Sequence, residues 1–90
     1  MRRQYIDTDV TLRQDFVDWT GAKEAIEFGL RQARDKAQER AASVGGALAP
    51  TVRPQVQIVT AIDPHEGEVV VIGSRWAADV PEMAFTPSER

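Results

Sequence analysis

His65 is the single histidine of the chain, and Asp63, Glu66 and Glu68 stand within three residues of it. A histidine among carboxylates could hold a divalent cation or move a proton. One histidine nevertheless excludes a three-histidine zinc site and the two-histidine helical metal motif. Asp63-Pro64-His65-Glu66-Gly67 also has the composition of a hairpin turn, with Pro presetting φ and Gly suited to positive φ, so the cluster reads as a solvated turn. Ser43, Ser74 and Ser88 lack the glycine-flanked setting of an activated nucleophile, and His65 is the one histidine that could serve them as a base. Asp7 with Asp9 and Asp15 with Asp18 are spaced as carboxylate pairs, but nothing around them predicts the burial that acid–base catalysis needs. No catalytic residue, cofactor or metal site is assigned, and the expectation is a protein that is not an enzyme.

The remaining chemistry is recognition. Gly45-Gly46 follows an apolar-periodic segment and lacks the Lys-Ser/Thr of a phosphate loop, so it reads as a helix terminus. Arg31, Arg34 and Arg40 could meet phosphates, but Asp35 and Glu39 interleave with them and no aromatic platform accompanies them, so nucleic acid is not the expected partner. Trp76 beside Arg75, and Trp19, are of the types enriched at binding hot spots, and equally of the type that closes one end of a small core.

These residues must be positioned by a small chain. Ninety residues, 42% apolar and 28% charged, fit one thin-cored domain for which assembly is a ready way to hide remaining surface. With no cysteine, disulfides and thiolate chemistry are excluded. Fourteen acids against eleven Lys and Arg give a net charge of −3, the wrong sign for a general nucleic-acid binder. The charge is uneven: residues 20–53 carry six bases and four acids, residues 54–90 two bases and six acids, a polarity that could steer one copy onto another. The N-terminus has no signal-peptide stretch, and the longest apolar run, Val69 to Gly73, is too short to cross a bilayer. The expected location is inside a cell or within a virion, with no membrane partner.

Apolar residues at Ala22, Ile26, Leu30, Ala33, Ala37, Ala41 and Val44 predict a helix from Thr20 to Val44, capped by Thr20 and ended by Gly45-Gly46. Its stripe turns from bulky to small side chains, which suits close approach. Gly29 within it could mark such a contact. Gln4–Leu12 alternates as an edge strand with an acidic wet face, and Arg13–Trp19 reads as a short helical turn or a lead-in that packs Phe16 and Trp19. Gln55–Ile62 and Glu68–Trp76 read as a hairpin. Val69-Val70-Val71-Ile72 is apolar on both faces, and one helix can cover only one of them, so the second face is expected to need the N-terminal segment, the C-terminal tail or a neighbouring subunit. The predicted fold is α+β, strand–long helix–strand–strand, with a small antiparallel sheet on one helix. Residues 1–80 form the domain and 81–90 an extended tail. Val69, Val71, Arg75, Trp76, Ala33, Ala37 and Phe85 are the candidate interface residues.

The span from Ala22 to Phe85 resembles the head–tail joining and tail-completion proteins of long-tailed phages. The resemblance rests on Ala33, Arg34, Ala37, Arg40 and Ala41 on the helix, on Gly46, Leu48, Pro50 and Thr51 in the loop, on Val70-Val71-Ile72-Gly73-Ser74, and on Ala77, Ala78 and Glu82. The loop residues stand in a different order from the family's, and no Gly follows Glu82. What the resemblance implies is a structural homo-oligomer at the neck or tail of a particle, joined to its neighbours by added strand pairing. The order strand, helix, strand, strand is also similar to dodecin, a small hollow oligomer that stores flavin, which would give Trp76 a stacking role. A third expectation is a small adaptor or inhibitor that binds a host protein through its hairpin edge.

Overall fold

Alternation of Ile6, Thr8, Val10 and Leu12 with Tyr5, Asp7, Asp9 and Thr11 gives the first strand, β1 (Arg2–Arg13), in the computed structural model, which describes residues 1–82. Two helices follow, α1 (Gln14–Thr20) and α2 (Ala22–Ser43), then strands β2 (Ala47–Leu48), β3 (Gln55–Asp63) and β4 (Gly67–Val80). The fold is α+β, one antiparallel four-stranded sheet with helices on one side.

β4 is the strand all others pair with. One of its edges holds β1 along its whole length, from Arg13↔Val69 to Arg2↔Val80. Its other edge holds β3 from Asp63↔Gly67 to Gln55↔Arg75, and beyond that β2 at Ala78 and Asp79. The sheet is therefore three strands wide. β4 continues four residues past the predicted end at Trp76, because Ala78 and Val80 keep the apolar alternation and are fully buried. β2, two residues long, has no periodicity that a sequence could display.

The helix predicted from Thr20 to Val44 forms as α2 with its start moved to Ala22, and the short helical turn expected over Arg13–Trp19 forms as α1. Gly21 has φ 87° and ψ 142°, a conformation open to glycine, and breaks the chain there. Thr20 is the last residue of α1, its hydroxyl donating to the Phe16 carbonyl at 2.8 Å rather than capping α2. The seam of α2 is Ala25, Gly29, Ala33, Ala37 and Ala41, a strict four-residue row. At its N-terminal end the face is thus rotated by one residue from the predicted Ala22, Ile26 and Leu30. Ile26, Phe28 and Leu30 flank the seam and are half-buried, while Val44 lies exposed beyond it. Gly29 does mark a close contact, since a side chain there would collide with Ile72. Small residues let α2 lie close on β1 and β4, burying Val10, Leu12, Val70, Ile72 and Trp76. A second cluster, Ala41, Ala78 and Val80, extends this layer.

α2 ends as predicted at the glycine pair. The Gly46 amide donates to the Ala41 carbonyl at 2.8 Å and the Gly45 amide to that of Ala42 at 3.0 Å, with Gly45 at φ 80°. These are the paired bonds of a Schellman termination. Gly46 then passes so near β4 that a Cβ would sit 2.5 Å from the Asp79 carbonyl oxygen and 3.0 Å from the Val80 Cα. Neither of those backbone atoms can yield without breaking the β2–β4 pairing. Gly46→Ala is expected to lower stability by about 1–3 kcal/mol, read as a drop in urea midpoint with an unchanged slope; an unchanged midpoint would show that the helix end can move off the sheet.

Candidate interaction surface

The residues able to do chemistry are engaged in local structure. Asp63 Oδ1 accepts from the backbone amides of His65 (2.7 Å) and Glu66 (2.9 Å), closing the β3–β4 hairpin as a turn. Those amides hold the Asp63 carboxyl below its ordinary range. Asp7 is gripped by Arg75 through Nε at 2.7 Å and Nη2 at 3.0 Å, which lowers its pKa. Asp15 is lowered likewise by Arg13, whose Nε donates to Oδ1 at 3.1 Å. Asp7 and Asp15 are exposed, so their ion pairs are weak surface contacts, while Asp63 is half-buried in its turn. Among the described residues, no three His, Asp or Glu side chains converge as metal ligands. None of the described helices is long and apolar enough to cross a membrane.

Ser74 is structural. Buried on the α2 side of β4, its Oγ accepts from Trp76 Nε1 at 2.7 Å and shares a hydrogen bond with Thr8 Oγ1 at 2.9 Å. The three polar groups satisfy one another where water does not reach. Trp76 is accordingly a core residue, 8% exposed, and its ring is not open to stack on a flavin. Trp19 is the reverse, 89% exposed, so it does not pack against the domain as expected, whereas Phe16 does, with its ring centroid 5.5 Å from that of Phe28.

The other candidate interface residues divide. Ala33 and Ala37 are fully buried in the α2 seam within the chain. Val69 is buried and Val71 half-buried on the face of the sheet opposite α2, each between flanking strands: Val69 beside Arg13 and Ala61, Val71 beside Thr11 and Val59. Of the elements expected to protect this run, the N-terminal segment does so in part: as β1 it flanks Val69 and Val71 on one side, and β3 flanks them on the other. Arg75 is exposed on that same face and paired with Asp7. Phe85 lies outside the described residues, as does the predicted tail apart from Pro81 and Glu82.

The unprotected surface is β3. Every residue from Gln55 to Ile62 is exposed, on both faces of the strand. Val56, Ile58 and Ile62 point to the α2 side, opposite Ser74, Ile72 and Glu68 of β4, yet α2 does not cover them; Ile58 is 44% and Ile62 74% exposed. No strand pairs with the outer edge of β3 among the described residues. The edge strand β1 is different. Its Asp7 carbonyl accepts from Arg40 Nη1 at 2.8 Å, its Asp9 carbonyl is approached by Lys36 Nζ at 3.5 Å, and Arg3, Asp7, Asp9 and Arg13 stand exposed along it. The basic positions Lys36 and Arg40 of α2 therefore guard a sheet edge. Compared with protein-family models, curated proteins and solved structures, the chain has no match.

Two outcomes follow from this geometry. Ser74→Ala strands the buried Trp76 N–H and Thr8 hydroxyl and is expected to cost about 1–3 kcal/mol, measured by denaturant melting; a neutral result would mean water enters the site. For Asp63, a folded pKa below the ordinary value means that its contribution is present above the ordinary carboxylate range and lost as the pH falls through the depressed value. Asp63→Asn is therefore expected to melt below wild type at pH 7 and to converge with it in strong acid. A pH-independent gap between the two curves would show that the turn does not depend on the ionised carboxylate.

Proposed function

We propose that this chain is a non-enzymatic structural protein that assembles with further copies of itself or with other proteins of a larger particle, in the manner of phage head–tail connector and tail-completion proteins. The open edge of β3 carries this reading. Folded monomers guard sheet edges with charges, prolines, bulges or a covering element. Between Gln55 and Ile62 there is no charge, no proline and no glycine, and Val56, Ile58, Val59 and Ile62 are exposed together. Such a strand offers backbone donors and acceptors to an added strand, with apolar side chains alternating on either face to select it. The α2 seam, once a candidate for contact between subunits, serves here as the internal layer that leaves β3 outside.

A second reading rests on the same edge: a small adaptor whose β3 accepts a strand from a different protein. Static light scattering across a concentration series separates the two. The structural reading predicts a mass above the 10.0 kDa of one chain, rising with concentration. A chain that stays at monomer mass at high micromolar concentration would contradict self-assembly and favour the adaptor.

A further inference from the structure

The geometry points to a specific partner for β3: the β3 of a second copy, added antiparallel across a two-fold axis at Val59, so that two four-stranded sheets become one of eight. This rests on the self-assembly reading and specifies how it is achieved. Three observations select it.

The first is the asymmetry of the two edges. β1 has cations from α2 at two backbone carbonyls and five exposed charged side chains along its length, whereas β3 has neither among the described residues. Joining β3 of one copy to β1 of the next, the head-to-tail arrangement that makes rings or fibres, would displace Arg40 from the Asp7 carbonyl. Joining β3 to β3 displaces nothing, and the contact is closed by its own symmetry.

The second is register. An antiparallel self-pairing must place one residue opposite its own copy. With Val59 at that point the whole strand pairs, Gln55 with Asp63, Val56 with Ile62, Gln57 with Ala61 and Ile58 with Thr60. A centre at Ile58 sets Ile62 against Pro54, which has no N–H to give. A centre at Thr60 sets Val56 against Pro64 in the turn. In the Val59 register, Val56, Ile58 and Ile62 of both copies lie on one face and adjoin across the seam, removing from water the residues that α2 leaves bare.

The third is charge. Arg53 is exposed just before β3, and the exposed acids Glu66 and Glu68 follow it at the hairpin tip beside the half-buried Asp63. Antiparallel pairing brings the start of one strand to the end of the other. Arg53 of each copy then meets the acidic tip of its partner at both ends of the seam, and the uneven charge along the sequence becomes complementary.

The chain contains no cysteine, so single-cysteine variants test the seam directly. Residues opposite one another in an antiparallel pair have Cα atoms about 4.5–5.5 Å apart, within disulfide reach. Val59 is 45% exposed, so replacing it leaves the core of one copy untouched. Val59→Cys is expected to form a disulfide-linked dimer under mild oxidation, and Tyr5→Cys, on exposed β1, to remain unlinked. In parallel, Val59→Lys, which sets like charges opposite each other, is expected to weaken dimerisation about tenfold or more while melting as a folded monomer. A dimer by light scattering in which Val59→Cys does not link, or in which Val59→Lys dimerises as wild type does, overturns this seam and leaves self-assembly standing. A wild-type monomer at all concentrations overturns both. Fibres in place of a closed dimer overturn the two-fold arrangement.

Discussion

One helix cannot cover three strands. An α-helix with its side chains is about 10–12 Å across, and α2 is narrower than that where it meets the sheet, because its seam is Ala25, Gly29, Ala33, Ala37 and Ala41. Strands lie about 4.8 Å apart, so a helix seated over β1 and β4 reaches no further. The small residues that let α2 approach closely also prevent it from spreading over Val56, Ile58 and Ile62. Close packing on two strands and exposure of the third are two sides of one constraint.

The rest of the architecture follows from which strand is left out. β4 is central and is flanked by strands on both sides, with Val69 and Val71 set between β1 and β3 on the face where no second layer stands among the described residues. β1 lies under the helix, and Arg40 and Lys36 descend from α2 to its backbone. Among the described residues no α2 side chain hydrogen-bonds to β3, and its own sequence supplies no charge before Asp63. Its hairpin turn is well made, with Asp63 accepting from two backbone amides, so β3 is a formed strand whose outer edge has no partner strand among the described residues.

Much of this was legible in the sequence because it is local. Period-two alternation located β1 and β3, the glycine pair ended α2, and Asp63-Pro64-His65-Glu66-Gly67 gave the turn. The small-residue stripe also announced close approach, and Gly29 marked where. What the sequence concealed depends on tertiary contact. Bulky Ile26 and Leu30 outweigh Ala25 and Gly29 in any hydrophobic pattern, yet the sheet surface at Ile72 and Leu12 accepts only the smaller pair. Trp76 and Trp19 are chemically alike, and only the position of β4 beneath α2 makes one a core residue and leaves the other at the surface. The same holds for the exposed face of β3: alternation marks it as half-apolar, but that α2 leaves it uncovered depends on how wide the helix is and where it sits.

Amide hydrogen exchange followed across a dilution series tests that central point most directly. If β3 edges meet in solution, the outward-facing amides between Gln55 and Asp63 exchange slowly in concentrated protein and speed up on dilution, while the amides of β4 stay protected throughout. Fast exchange of those β3 amides at every concentration would show an edge that stays open to water and would contradict the account.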